Sequence, residues 1–220
     1  MENKDVLQSM GISKNKANHF ANHEAISDYV NNQKHLNDKQ RGNLINHIGK
    51  MRNYERLSPA IRKALVDNNT NIYYNKDKGV SKFAPGSINI NGNFTDEGER
   101  RHFYHELYHN IGNAYDLDNL KSKTGGTLAE TLRSESGDKK QAEIQKYLDD
   151  YYKNHPGFDG TKWKFRFGNT LQDIANGMNK FVGSSDTRTK PQYWKTDGRQ
   201  AHELFAQLGE LLSSEDGEEY

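Results

Sequence analysis

The apolar pattern of this 220-residue chain changes period in its middle. Ser87-Ile88-Asn89-Ile90-Asn91 alternates with period two, as a half-buried strand does, and Asn71-Ile72-Tyr73-Tyr74 is a second short β candidate. From Arg100 to Ile111 the spacing becomes helical, with Phe103, Leu107 and Ile111 on one side and Gly112 where a helix commonly closes. Thr95, ahead of Gly98-Glu99, resembles the start of that helix. Short strands feeding a helix, in a chain whose other spacings are helical, predict an α+β fold: mainly helical, with a small mixed β-sheet beside the 100–111 helix.

Helical spacings recur on both sides of this centre. Val6, Leu7, Met10 and Ile12, then Phe20, Ile26, Tyr29 and Val30, then Leu44, Ile45 and Ile48 suit short amphipathic helices. They lie in an Asn-, Lys- and His-rich stretch, which predicts a weakly packed helical arm over residues 1–56. Ser58-Pro59 reads as a helix opening with Ser58 as N-cap, stopped at Asn68-Asn69. Residues 121–140, rich in Gly, Ser, Thr and Lys, predict a surface loop with at most one short helix near Leu128–Leu132, and Gln141–Tyr152 a helix. Lys162-Trp163-Lys164-Phe165-Arg166-Phe167 alternates strictly, setting three cations opposite three aromatics, as in a half-buried strand. Thr170–Asn176 predicts a further short helix. Asp197 opens a last helix with Ala201, Leu204, Phe205, Leu208, Leu211 and Leu212 as its buried stripe. The expected organisation is an arm over 1–56, one domain over 57–212 and an acidic disordered tail over 213–220.

Composition narrows the chemistry. Hydrophobic residues make up 32% of the chain and charged ones 28%, so the core must be small, with 12 Tyr, 9 Phe and 2 Trp supplying its bulk. No stretch approaches the roughly 18 apolar residues of a membrane span, and Met1–Asp5 lacks the apolar run of a signal peptide. The chain is therefore expected to be cytoplasmic when made, whether it stays there, is delivered or joins a virion. A formal net charge of +1, from 31 Lys+Arg against 30 Asp+Glu, gives no global attraction for nucleic acid or acidic membranes. Absence of cysteine removes disulfides, thiolate nucleophiles, iron–sulfur clusters and Cys-based zinc sites together. A metal site here has to be built from His, Asp, Glu or Tyr.

Phe103-Tyr104-His105-Glu106-Leu107-Tyr108-His109 contains His-Glu-x-x-His. On a helix the two imidazoles stand one turn apart on one face, close enough to bind one tetrahedral zinc, while Glu106 projects beside them toward a water the metal would activate. With 9 His and 14 Glu in 220 residues, a chance match arises with a probability of about 2%, so the motif is informative beyond its context. Zinc chemistry needs a third protein ligand and an open position. Asp116 follows closely, but Tyr115 stands where the longer His-Glu-x-x-His-x-x-Gly-x-x-His pattern puts its third histidine. His102 precedes the motif, and far downstream His202-Glu203-Leu204-Phe205-Ala206-Gln207 brings a carboxylate and an imidazole to the start of the last helix. Glu203, Asp116, His102 and His202 are the candidates.

The strand with Pro85-Gly86-Ser87-Ile88-Asn89-Ile90-Asn91, the helix with His105-Glu106-x-x-His109 and the late helix with Glu203-Leu204-Phe205-Ala206-Gln207 resemble, in that order, the gluzincin-type metallopeptidases, in particular the catalytic domain of anthrax lethal factor and related toxin domains. Asp173-Ile174-Ala175-Asn176-Gly177, Lys190-Pro191-Gln192-Tyr193-Trp194-Lys195 and Glu203–Ala206 also resemble the zincin-like C-terminal domain of phage minor head proteins and polymorphic toxins, although Gly183-Ser184-Ser185 stands where those domains usually carry Gly-His-Ser. The likeness covers roughly residues 70–212. It implies a zincin-like fold, a zinc cofactor held by His105, His109 and Glu203, and Tyr193 as hydrogen-bond donor to the oxyanion.

The expected activity is therefore that of a zinc metalloendopeptidase acting on a protein or peptide substrate, with Glu106 as general base. The strand near Ser87–Ile90 is expected to receive the substrate by β-addition. Two other readings accompany it: a phage head-associated structural or accessory protein whose metal site is structural or vestigial, and a toxin working with effector-delivery components. A nucleic-acid partner is not expected, because Lys162, Lys164 and Arg166 face away from the neighbouring aromatics.

Overall fold

The computed structural model describes residues 13–75, 81–91, 96–121, 126–127, 135–154, 174 and 199–214. The chain divides into two compact units, Met1–Ala114 with Leu212–Gly217 and Tyr115–Leu211 with Glu218–Tyr220. The described elements form an α+β, mostly helical protein with a small mixed three-stranded sheet.

In the first unit, α1 (Lys14–Asn31) opens on Ser13, whose hydroxyl accepts from the Lys16 amide. Helix α2 (Asp38–Gly49) opens on a capping box in which Asn37 and Gln40 satisfy each other's backbone N–H. Ile26 and Val30, and likewise Leu44 and Ile48, sit one turn apart and are fully buried. Among the described residues of this Asn-rich stretch the expected loose packing is not found, because one aliphatic residue per turn, correctly phased, makes a continuous apolar stripe.

Helix α3 (Tyr54–Arg62) starts at Tyr54, after Asn53 at φ 58°, so Ser58 and Pro59 lie inside it and Ser58 is not its N-cap. Pro59 has no N–H for the Glu55 carbonyl. The Ser58 hydroxyl donates to that carbonyl instead, at 3.3 Å, and accepts from Asn22 Nδ2 at 3.3 Å, tying α1 to α3. Beyond Arg62 the helix widens into a π turn (Lys63–Asp67), with Asn68 N bonded to Lys63 O and Thr70 N to Leu65 O. Asn69, at φ 50°, follows the turn, in keeping with the expected Asn68-Asn69 stop.

The strands β1 (Asn71–Asn75), β2 (Lys82–Ala84) and β3 (Ser87–Asn91) lie in the order β1-β3-β2. β1 runs parallel to β3, with Ile72 opposite Ile88, and β2 runs antiparallel to it, with Phe83 opposite Ile88. Pro85 and Gly86 close the β2–β3 turn, Gly86 at φ 81°, which glycine adopts without strain. β3 is thus the central strand, paired on both sides, and the expectation that Ser87–Ile90 receives an extended peptide fails for want of a free edge. Tyr29 and His35 meet β1 and its approach: the Tyr29 hydroxyl donates to Thr70 O at 2.9 Å and His35 Nε2 to Ile72 O at 2.6 Å.

Helix α4 (Asp96–Ala114) is longer than the predicted 100–111. It passes through Gly112, and Asp116, at φ 51°, takes the left-handed position expected of that glycine. Phe103, Tyr104, Leu107, Asn110 and Ile111 are all buried, so tertiary packing around the helix outweighs the preference of glycine for its end. Thr95 lies outside the described residues.

In the second unit, α5 (Glu135–Asn154) begins well before Gln141, inside the segment predicted as a loop. Lys121 and Thr127 form an antiparallel bridge. Helix α6 (Arg199–Ser213) buries Ala201, Leu204 and Leu211, but Phe205 and Leu208 are half-buried and Leu212 is 59% exposed. Glu203, Gln207 and Glu210 take the buried places instead. Of the tail expected from 213, Ser213 and Ser214 are buried, and in the first unit Ser213 O accepts from Arg52 N at 3.1 Å; the rest lies outside the described residues. The Leu128–Leu132 helix, the 162–167 strand, Asp197 and Tyr193 lie outside the described residues, as does the Thr170–Asn176 helix except for buried Ile174. No described helix is long and apolar enough to cross a membrane.

Candidate metal centre

Helix α4 carries His105 and His109 one turn apart, as the spacing predicts. Their Nε2 atoms are 3.1 Å from each other, with ring centroids 4.8 Å apart and planes at 80°. Two nitrogens at about 2.0–2.1 Å from one tetrahedral zinc are about 3.3 Å apart. The pair therefore stands within a few tenths of an ångström of the spacing a shared metal requires, with both ring nitrogens directed at one region. An N–H···N bond between two imidazoles, one donating and one accepting, has a similar length, so metal binding and pairing compete for the same nitrogens. His105 and Glu106 are buried and His109 is half-buried. The half-buried Phe83 ring on β2 lies nearly parallel to His109, at 15° with centroids 6.3 Å apart, which sets the edge strand β2 beside the histidine pair.

Polar anchors hold α4 along its length. Near its start the Glu99 carboxylate accepts from Tyr74 Oη at 2.7 Å and from His47 Nε2 at 3.3 Å, joining β1, α2 and α4. Burial pushes the Glu99 carboxyl up, but the bonds from His47, Tyr74 and Asn43 and the charge attraction of His47 outweigh it and leave the group below the usual carboxylate range. Tyr104 Oη donates to the His47 carbonyl at 2.6 Å. Tyr108 Oη and Ser213 Oγ share a bond of 3.0 Å; burial raises the phenol's pKa and this bond works against the rise. Asn110 Nδ2 donates to Ala64 O at 2.9 Å and to Thr70 Oγ1 at 3.2 Å.

Of the candidates for a third ligand, Glu203 is buried on α6, in the second unit. Asp116 is exposed, and its carboxylate accepts from Asn119 Nδ2 at 3.0 and 3.1 Å. His202 Nε2 is 3.1 Å from Asp118 Oδ1. His102 is half-buried on α4, three residues before His105. Sequence reasoning passed over Tyr104, Tyr108, Asn110 and the Glu99–His47–Tyr74 network. The readable signal was a run of polar and phenolic residues at positions of α4 that its burial makes internal.

No protein-family profile matches the chain, and neither a curated protein nor a solved structure resembles it significantly.

Proposed function

We propose that this chain is a zinc-dependent metalloendopeptidase of the zincin, gluzincin-type class, hydrolysing a peptide bond of a protein substrate. The observation that carries the proposal is the 3.1 Å separation of His105 and His109 Nε2 on a buried helix that also bears Glu106. His105 and His109 supply two ligands and Glu203 the third. Glu203 is assigned by resemblance, and it is a buried carboxylate on its own helix. The Asp116 carboxylate accepts from Asn119, and His202 stands 3.1 Å from Asp118.

Zinc, when bound, supplies Lewis acidity to the scissile carbonyl and to the attacking water. Glu106 accepts the proton from that water and returns it to the leaving amine. Tyr193, assigned by resemblance, donates a hydrogen bond to the oxyanion. The extended substrate pairs with β2, the edge strand beside His109, and not with the central β3.

The test is elemental analysis and peptide-library cleavage by the wild type, Glu106→Gln and His109→Ala. Wild type should hold one zinc and cleave, Glu106→Gln should hold zinc without cleaving, and His109→Ala should lose the metal. Cleavage by Glu106→Gln would refute the assigned base. Zinc bound with no cleavage by the wild type would leave a structural site, as in a phage head-associated accessory protein.

A further inference from the structure

We infer that Asn110, clamped to the π turn after α3, is a positioning residue that sets the roll of the ligand helix and so the aim of His105 and His109. The inference rests on the metal-binding part of the proposed function. The Asn110 side chain is 1% exposed and forms a closed set of bonds with one feature. Its Nδ2 reaches Ala64 O at 2.9 Å and Thr70 Oγ1 at 3.2 Å, while Thr70 Oγ1 also bonds Ala64 O at 2.8 Å and approaches Asn110 Oδ1 at 3.4 Å.

The π turn makes this arrangement available. Its wider spacing sends the Asn68 amide to Lys63 O, and the Asn69 amide bonds Val66 O, leaving Ala64 O to be satisfied by the two side chains. Replacing either side chain by an apolar one removes bonds that no backbone group is spaced to restore. Asn110 follows His109 directly, and Tyr104, which precedes His105, is tied to a different helix through the His47 carbonyl. The two ties lie near the two ends of the ligand pair and pull on different elements, so together they resist rotation of α4 about its own axis.

Small rotations matter at such a site. Ring nitrogens lie roughly 6 Å from the helix axis, so a roll of about 10° moves them about 1 Å, whereas metal–ligand distances hold to about 0.2 Å.

The experiment uses the full chain with cobalt(II) in place of zinc, reading the dissociation constant by chelator competition and the visible d–d spectrum. Asn110→Ala and Thr70→Val should each bind cobalt about 10-fold more weakly, with shifted band positions, and Thr70→Ser, which keeps the hydroxyl, should restore both. Reading the spectrum of bound cobalt separates aim from stability, since a variant that is merely less stable gives the wild-type spectrum at reduced amplitude. Wild-type affinity and spectrum in folded Asn110→Ala and Thr70→Val would overturn the inference while leaving the metal site standing. Absence of cobalt binding by the wild type would overturn the metal site itself, and this inference with it.

Discussion

Replacing Glu99 by Gln tests the buried network at the start of α4. The carboxylate is 6% exposed and accepts two bonds at one oxygen, from Tyr74 Oη at 2.7 Å and His47 Nε2 at 3.3 Å. Glutamine keeps the shape and an accepting oxygen, so both bonds survive as neutral ones. A bond to a charged group contributes about 1.5–3 kcal/mol and a neutral one about 0.5–1.5 kcal/mol. The two bonds together lose about 2–3 kcal/mol, and relief from burying a charge returns part of it, leaving a destabilisation of about 2 kcal/mol at pH 7. For a chain of this size that corresponds to a fall in Tm of about 4–8 °C. Because the folded carboxyl is held below its ordinary value, its stabilisation is complete above the unfolded pKa of about 4.3 and is lost as pH falls through the lower folded value. Thermal or urea melts of both proteins at pH 7, 5, 4 and 3 should therefore show a gap that is constant from pH 7 to 5 and closes below about 4.3. Equal stability at pH 7, or a gap unchanged at pH 3, would refute the reasoning.

Zinc at 100 times its dissociation constant should stabilise the wild type by about 2.7 kcal/mol and raise Tm by about 5–11 °C, and His109→Ala should abolish the rise in the same calorimetric scan. Ser58→Ala should cost about 1 kcal/mol in urea melts by leaving the Glu55 carbonyl and Asn22 amide without their bonds to the hydroxyl. Much of that loss should disappear in a Pro59→Ala background, where a restored backbone N–H can serve the carbonyl; strict additivity of the two changes would argue against the substitution of one donor for another. Gly86→Ala should cost about 1–2 kcal/mol through its φ of 81° alone, since a Cβ there meets nothing within 4 Å. A neutral result in chemical denaturation would mean that the turn relaxes.

The features legible in the sequence are those whose cause lies within a turn or a hairpin. The i, i+4 spacing of His105 and His109 determines that they share a helix face, the alternation of Ser87–Asn91 determines a strand, and Pro85-Gly86 determines the turn before it. Absence of cysteine likewise confines any zinc chemistry to His and carboxylate ligands. What only the tertiary structure decided depends on partners far away along the chain. Pro59 stays inside a helix because Ser58 replaces the missing donor while holding Asn22, 36 residues distant. Gly112 stays helical because α4 is buried on most of its surface. β3 is central because β1 pairs with one of its edges and β2 with the other, and Asn110 acquires meaning only where the π turn, some 40 residues earlier in the chain, presents Ala64 O and Thr70. Local preferences in each case are of order 1 kcal/mol per residue, and a buried hydrogen bond or packed side chain contributes as much or more. Where such a long-range contact exists it overrides the local signal, and neighbouring residues in the sequence carry no trace of it.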